Sequence, residues 1–236
     1  MHRHRGVALG LVVLVLLGLM AVSRVQVSYW KDSISLWSRT LDCVEPHSVA
    51  HNNLGIALRR AGRPEEARVH FNRAITLRPA GVEAYNNLVG VCVQTEEWEA
   101  AEQWCLLALE REPGHAVIHQ NYALVLVNLG RVDEAIREFK TALEIDPALL
   151  GACNGLVKVL AQNGDLAEAV SVLQRTIEER PRNARLRHDL GLLFEGQGRF
   201  ERAAVQYKEA IRLNPNAQNA QARLKALIQK AQKSQK

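Results

Sequence analysis

Residues 52–79 read NNLGIALRRAGRPEEARVHFNRAITLRP, and residues 122–147 read YALVLVNLGRVDEAIREFKTALEIDP. Each stretch carries two apolar stripes at helical spacing, parted by a Gly and closed by a Pro. In the first, Leu54, Gly55 and Leu58 share one helix face, and Ala67, Phe71 and Ala74 share a second. Gly62 suits a left-handed cap between the two helices. Glu65 and Glu66 fall in the first turn of the second helix, where carboxylates suit the dipole. Pro79 cannot continue that helix. The reading is a helical hairpin with an apolar side it cannot bury alone.

Counted outward, the pattern recurs at a fixed period, in segments 48–81, 82–115, 116–149, 150–183 and 184–217. Repeat position 32 is always Pro: Pro79, Pro113, Pro147, Pro181 and Pro215. Position 20 is always Ala: Ala67, Ala101, Ala135, Ala169 and Ala203. Position 15 is Gly except at Glu96, and position 27 is Ala except at Thr176. Residues 218–236 form helix-favouring sequence suited to a solvating end cap, with Ala222, Leu224, Leu227 and Ile228 expected on its packed side.

This pattern resembles the tetratricopeptide repeat (TPR) family over the whole of 48–217, as five consecutive repeats. The resemblance implies an all-α TPR α-solenoid, a right-handed superhelix of helix hairpins. Val89, Glu96 and Thr176 depart from the family pattern, so looser packing is expected in repeats two and four.

Composition agrees with a packed helical body. Of 236 residues, 47% are hydrophobic, too many for a disordered chain. Net charge is +5, but it is unevenly spread. Three cations in the first 24 residues and six in the last 25 leave 21 against all 25 acids between them, a net of −4. A nucleic-acid-binding body is therefore not expected. Four cysteines without CxxC spacing indicate neither a disulfide scaffold nor a zinc site. Cys92 and Cys105 face one repeat core, as a disulfide or, preferably, as small apolar residues.

The N-terminus differs from the rest. After the basic segment 1–5 (MHRHR), Gly6–Val22 carries no charge, and with Ser23 and a snorkelling Arg24 it can span a bilayer core of about 30 Å. Residues 6–23 are expected to be a single transmembrane anchor, N-terminus cytoplasmic and repeats on the exported, periplasmic or extracytoplasmic side. The alternative is a cleaved signal peptide, since Ala21-Val22-Ser23 offers small residues for cleavage.

Residues 25–47 read VQVSYWKDSISLWSRTLDCVEPH and fit a half-repeat, a second helix without its first. Tyr29 and Trp30 suit a membrane interface; Trp30 and Trp37 equally suit a repeat core. The junction VSYWKDSISLWSRTLDCVEPHSVAHNNLG is similar to that of multi-pass O-mannosyltransferase-like TPR membrane proteins, over roughly residues 10–60. That resemblance implies a TPR tail without its enzyme, truncated or separately encoded, because the catalytic residues of such enzymes lie between earlier transmembrane helices.

No nucleophile–base pair, phosphate loop or dinucleotide fingerprint appears. His47/His51 and His115/His119 have i, i+4 metal spacing, but both pairs fall at one repeat phase without a third ligand. No catalytic residue, cofactor or metal ligand is assigned. What remains is a surface. The first helix of each repeat is expected to line a concave groove through positions 2, 5, 6, 9, 12 and 13. Asn52, Asn53, Asn86, Asn87, Gln120, Asn121, Asn154, His188 and Asp189 occupy positions 5 and 6. A run of amides suits the backbone of an extended peptide. It resembles the asparagine ladder of the O-linked N-acetylglucosamine transferase TPR superhelix, although Asn at position 6 is also common in TPRs generally. The chaperone carboxylate clamp is not expected, because its cation positions are Asn52, Val117 and Asn121 here. The expected function is a membrane-anchored scaffold binding a protein or extended peptide; the alternative is an accessory TPR subunit of a multi-pass membrane glycosyltransferase.

Overall fold

The computed structural model describes residues 32–43 and 47–233. These contain twelve α-helices and no strand. The chain divides into two compact units, Met1–Glu96 and Glu97–Lys236. The first holds α1 (Ser33–Cys43), α2 (Ser48–Arg60), α3 (Pro64–Leu77) and α4 (Val82–Gln94). The second holds α5 (Trp98–Arg111), α6 (Ala116–Asn128), α7 (Val132–Ile145), α8 (Leu150–Asn163), α9 (Leu166–Glu179), α10 (Ala184–Gly196), α11 (Phe200–Leu213) and α12 (Gln218–Lys233). Within each unit, every helix packs on the next in sequence, and first helices of adjacent repeats also touch, α2 on α4 and α6 on α8.

The helix ends follow from backbone chemistry. Gly62, Gly130, Gly164 and Gly198 adopt φ of 75°, 76°, 91° and 73°, the left-handed conformation that stops a helix. Glu96 stands at the same repeat position and is forced to φ 60° despite its Cβ. Every second helix in the repeats then ends two residues before its Pro. The first described helix, α1, starts where Asp32 caps it: Ser35 N donates to Asp32 Oδ1 at 2.8 Å.

The core is the two apolar stripes. All five alanines at position 20 are fully buried, as are Phe71, Cys105, Phe139, Leu173 and Tyr207 four residues on. Where Thr176 replaces Ala, its hydroxyl donates back to Val172 O at 3.1 Å, so the buried position stays satisfied. Cys92, Cys105 and Cys153 are buried thiols and Cys43 an exposed one. The packed side of α12 is the expected one only at Leu224 and Leu227. It runs Ala220, Leu224, Leu227, an i, i+4, i+7 stripe, while Ala222 and Ile228 are exposed. Ala222 lies two residues, about 200° of helix rotation, from Ala220.

No helix among the described residues is long and apolar enough to cross a membrane. The anchor expected at 6–23 lies outside the described residues, as do Tyr29 and Trp30.

Candidate peptide-binding faces

In the first unit, Asn52 and Asn53 sit on α2, and Asn86 and Asn87 on α4; all four are half-buried. Asn87 Nδ2 donates to Asn52 Oδ1 at 2.9 Å, linking neighbouring first helices. Asn52 also borders a recess of about 160 Å³ with Ser48, Val49, Arg78 and Glu83. Asn53 turns elsewhere, into a recess of about 570 Å³ that it shares with Ile34, Trp37, Ile56 and Arg60. The amides thus pair one position out of step, 52 with 87, rather than 53 with 87.

In the second unit, the Gln120 amide on α6 reaches α8 and lies where a Cβ on Gly151 would stand. Its Nε2 donates to Asn121 Oδ1 at 3.3 Å. Val117 and Leu124 flank these amides on the same helix and are 36% and 42% exposed. An apolar–amide–apolar face can bind a peptide backbone and shelter its side chains together. Asn154 is exposed on α8. Gly155, beside it, has no room for a side chain, because the Phe139 ring fills the space. On α10, His188 Nδ1 pairs with Asp189 Oδ1 at 3.0 Å.

A second polar pattern joins the two helices of a hairpin at repeat positions 4 and 23. His51 Nδ1 meets His70 Nδ1 at 3.0 Å, His119 Nδ1 meets Glu138 Oε2 at 2.6 Å, and Arg187 Nη1 donates to Gln206 Oε1 at 3.3 Å. Of the histidines at metal-like spacing, His51 and His119 therefore make hairpin links, and His119 also holds Pro113 O through Nε2 at 2.8 Å. No group of three metal-ligating side chains occurs among the described residues. Burial, then its partners, pushes His51 below the usual imidazole range, and burial does the same to His70. Tyr122, in a core position of α6, donates to Glu102 Oε1 at 3.0 Å, and Arg131 Nη1 donates to the same oxygen at 2.6 Å. Burial and this carboxylate push the Tyr122 phenol up to about 12.

Protein-family models described as "Tetratricopeptide repeat" match residues 52–116, 126–193 and 184–217. The chain is a tetratricopeptide repeat protein. Among curated proteins, this TPR chain is 27% identical over 183 residues to protein O-mannosyl-transferase TMTC3 of Homo sapiens, covering 73% of the chain and 20% of that protein. It is 31% identical over 132 residues to the FK506-binding protein-like protein of Mus musculus, covering 52% of the chain and 38% of that protein. It thus spans well under half of either relative. Among solved structures, it is similar to YrrB, titled a TPR protein with an unusual peptide-binding site, at 21% identity and a TM-score of 0.57, over 79% of this chain and 96% of that one. PilF of Pseudomonas aeruginosa aligns at 19% identity and a TM-score of 0.63, over 88% and 93%. At these identities the likeness is one of TPR fold.

The sequence reading did not identify the position 4–23 links or the Asn52–Asn87 pair. The first had a signal, the same sequence separation between polar residues in three repeats. The second had none, because it depends on the stagger between adjacent hairpins.

Proposed function

We propose that this TPR protein is a non-catalytic scaffold that holds an extended segment of a partner protein against its first-helix faces. The observation that carries the reading is the linked amide pair Asn52–Asn87, half-buried between two first helices and offering donors and acceptors to a peptide backbone. The exposed Val117 and Leu124 beside Gln120 and Asn121 support it in the second unit. So does the peptide-binding site named for YrrB, a TPR protein of the same fold. In this reading residues 6–23 anchor the scaffold with its repeats on the exported side.

A photo-crosslinking side chain tests the face used. Placed at Val117 or Leu124 on α6, it should trap the partner in intact cells; placed at Val69 or Val205, exposed on second helices, it should not. Equal trapping from both sides would refute the reading. Cysteine accessibility at Lys236 tests the anchor: a cytoplasmic label would refute the topology, and a mature N-terminus at Arg24 would replace the anchor with a cleaved signal.

A second reading rests on the junction VSYWKDSISLW and on the 183-residue similarity to the O-mannosyl-transferase. There the chain serves as the TPR part of a membrane glycosyltransferase assembly. Co-purification with a multi-pass enzyme that lacks TPRs, dependent on residues 25–47, would favour it over a free scaffold.

A further inference from the structure

Resting on the scaffold reading, we propose that the first unit selects extended peptides carrying an acidic side chain, and that Arg59 receives the carboxylate. Arg59 is half-buried on α2, on the same side as Asn52. Its Nε is shielded from water and has no hydrogen-bond partner. Its guanidinium lies over Gly90 of α4, where a Cβ would stand 3.5 Å from Cζ and Nη1. That is ordinary van der Waals distance, so the guanidinium rests beside α4 at Gly90 without displacing anything.

Two other arginines of this hairpin are already committed. Arg63 grips both oxygens of Glu66 at 2.5 and 2.6 Å, and Arg68 meets Glu65 at 3.4 Å. Arg59 meets no carboxylate among the described residues. A partly desolvated guanidinium with an open fork is matched by a carboxylate, in a charge-assisted and geometrically specific pair.

The occupant is a peptide acid because of what lies alongside. Arg59 is seven residues, about 10 Å of helix, from Asn52. Three extended residues cover that distance, so a backbone held by Asn52 and Asn87 brings a nearby side chain to Arg59. At the other end of Asn52 the recess carries both Arg78 and Glu83, whose charges offset, so it offers an acid no net attraction to rival Arg59. A phosphate polymer would instead meet a body whose net charge is −4 between the two basic ends.

The test selects nonapeptides from a random phage library on the detergent-solubilised full chain. The consensus peptide, labelled with fluorescein, is then titrated in Glu and Gln forms by fluorescence anisotropy. The expected result is a single fixed acid in the consensus and about tenfold tighter binding of the Glu form. R59Q should bind both forms alike; R59M, whose stem fills the same space, replaces it where R59Q melts early. N52A/N87A should weaken both forms equally. A consensus without an acid, or an R59Q protein that keeps the Glu preference, overturns the Arg59 assignment and leaves the scaffold reading standing. Failure to select any peptide sensitive to N52A/N87A overturns both.

Discussion

Asn87 donates a hydrogen bond to Asn52 Oδ1 across 2.9 Å, joining two residues 35 apart in sequence. The repeat is one residue shorter than that separation, and the extra residue measures the stagger between neighbouring first helices. The bond makes the amides structural as well as available to a ligand. A peptide that binds here must exchange this bond for its own, which limits the net gain of each contact to about 0.5–1.5 kcal/mol.

The Asn pair should therefore show coupling in stability. N52A and N87A are each expected to cost about 0.5–1.5 kcal/mol in urea denaturation. The double variant should cost less than their sum, because either substitution already breaks the bond. Strict additivity would mean that the two amides act independently.

Glu96 carries the only positive φ among the described residues other than glycine, 60°, at the position held by Gly in four repeats. Substituting Gly removes the Cβ clash of the left-handed conformation, worth about 1–2 kcal/mol, and returns part of it as backbone entropy of the unfolded chain. E96G is expected to raise stability by roughly 1 kcal/mol, read as a shift of the denaturation midpoint. A lower midpoint would show that the Glu96 side chain contributes more than the strain costs.

The fold was legible because it is written in residues with one backbone meaning each. Gly at 15, Pro at 32 and Ala at 20 set where helices stop and how closely they approach, and each recurs at a fixed period. The candidate face was less legible. Gly155 breaks the amide row at position 6 of repeat four, and the reason is a ring from the previous repeat: Phe139 occupies the space above Gly155. His51, His119 and Arg187 fall on a face expected to be apolar, and they are tolerated because position 23 supplies His70, Glu138 and Gln206. No shared residue type marks these partners. On α12, repeat counting ends, and helix rotation alone decides which residues pack.

The His51–His70 contact gives a pH dependence. Both imidazoles sit below their ordinary range, by burial first and then, for His51, by His70 and Arg73; Glu66 opposes the shift on His70. Groups depressed on folding take up protons more readily when unfolded. Stability from this pair is thus present above about pH 6.5 and falls as pH drops below it through the folded values. Two protonated rings with Nδ1 atoms 3.0 Å apart would also repel. Melting temperature should fall between pH 7.5 and 5.5, a window above ordinary carboxylate titration. H70Q should flatten that slope; an equal slope in H70Q would assign the dependence to other groups.

The rings at position 24 explain three further glycines, Gly55, Gly155 and Gly191, and give the sharpest packing test. A Cβ at Gly55 would stand 2.6 Å from Phe71 Cε1, and one at Gly191 would stand 2.5 Å from Tyr207 Cε1. Each ring fills the space above position 8 of its own hairpin. In the third repeat position 8 is Ala123, and there the Phe139 ring leans instead on Gly155 of the next repeat. An aromatic ring at position 24 therefore requires a glycine, in its own hairpin or the one after. G55A should overpack the first hairpin and cost about 1–3 kcal/mol, despite the better helix propensity of Ala. Because Phe71 is fully buried, F71L alone also destabilises, through the volume it leaves empty. Leu is narrower at the ring edge, so G55A/F71L should be more stable than the two single costs predict, by about 0.5–3 kcal/mol. G155A should behave as G55A does, relieved by F139L and not by F71L. Chemical denaturation of these variants reads each term; a G55A protein as stable as the parent would place the Phe71 ring elsewhere than above Gly55.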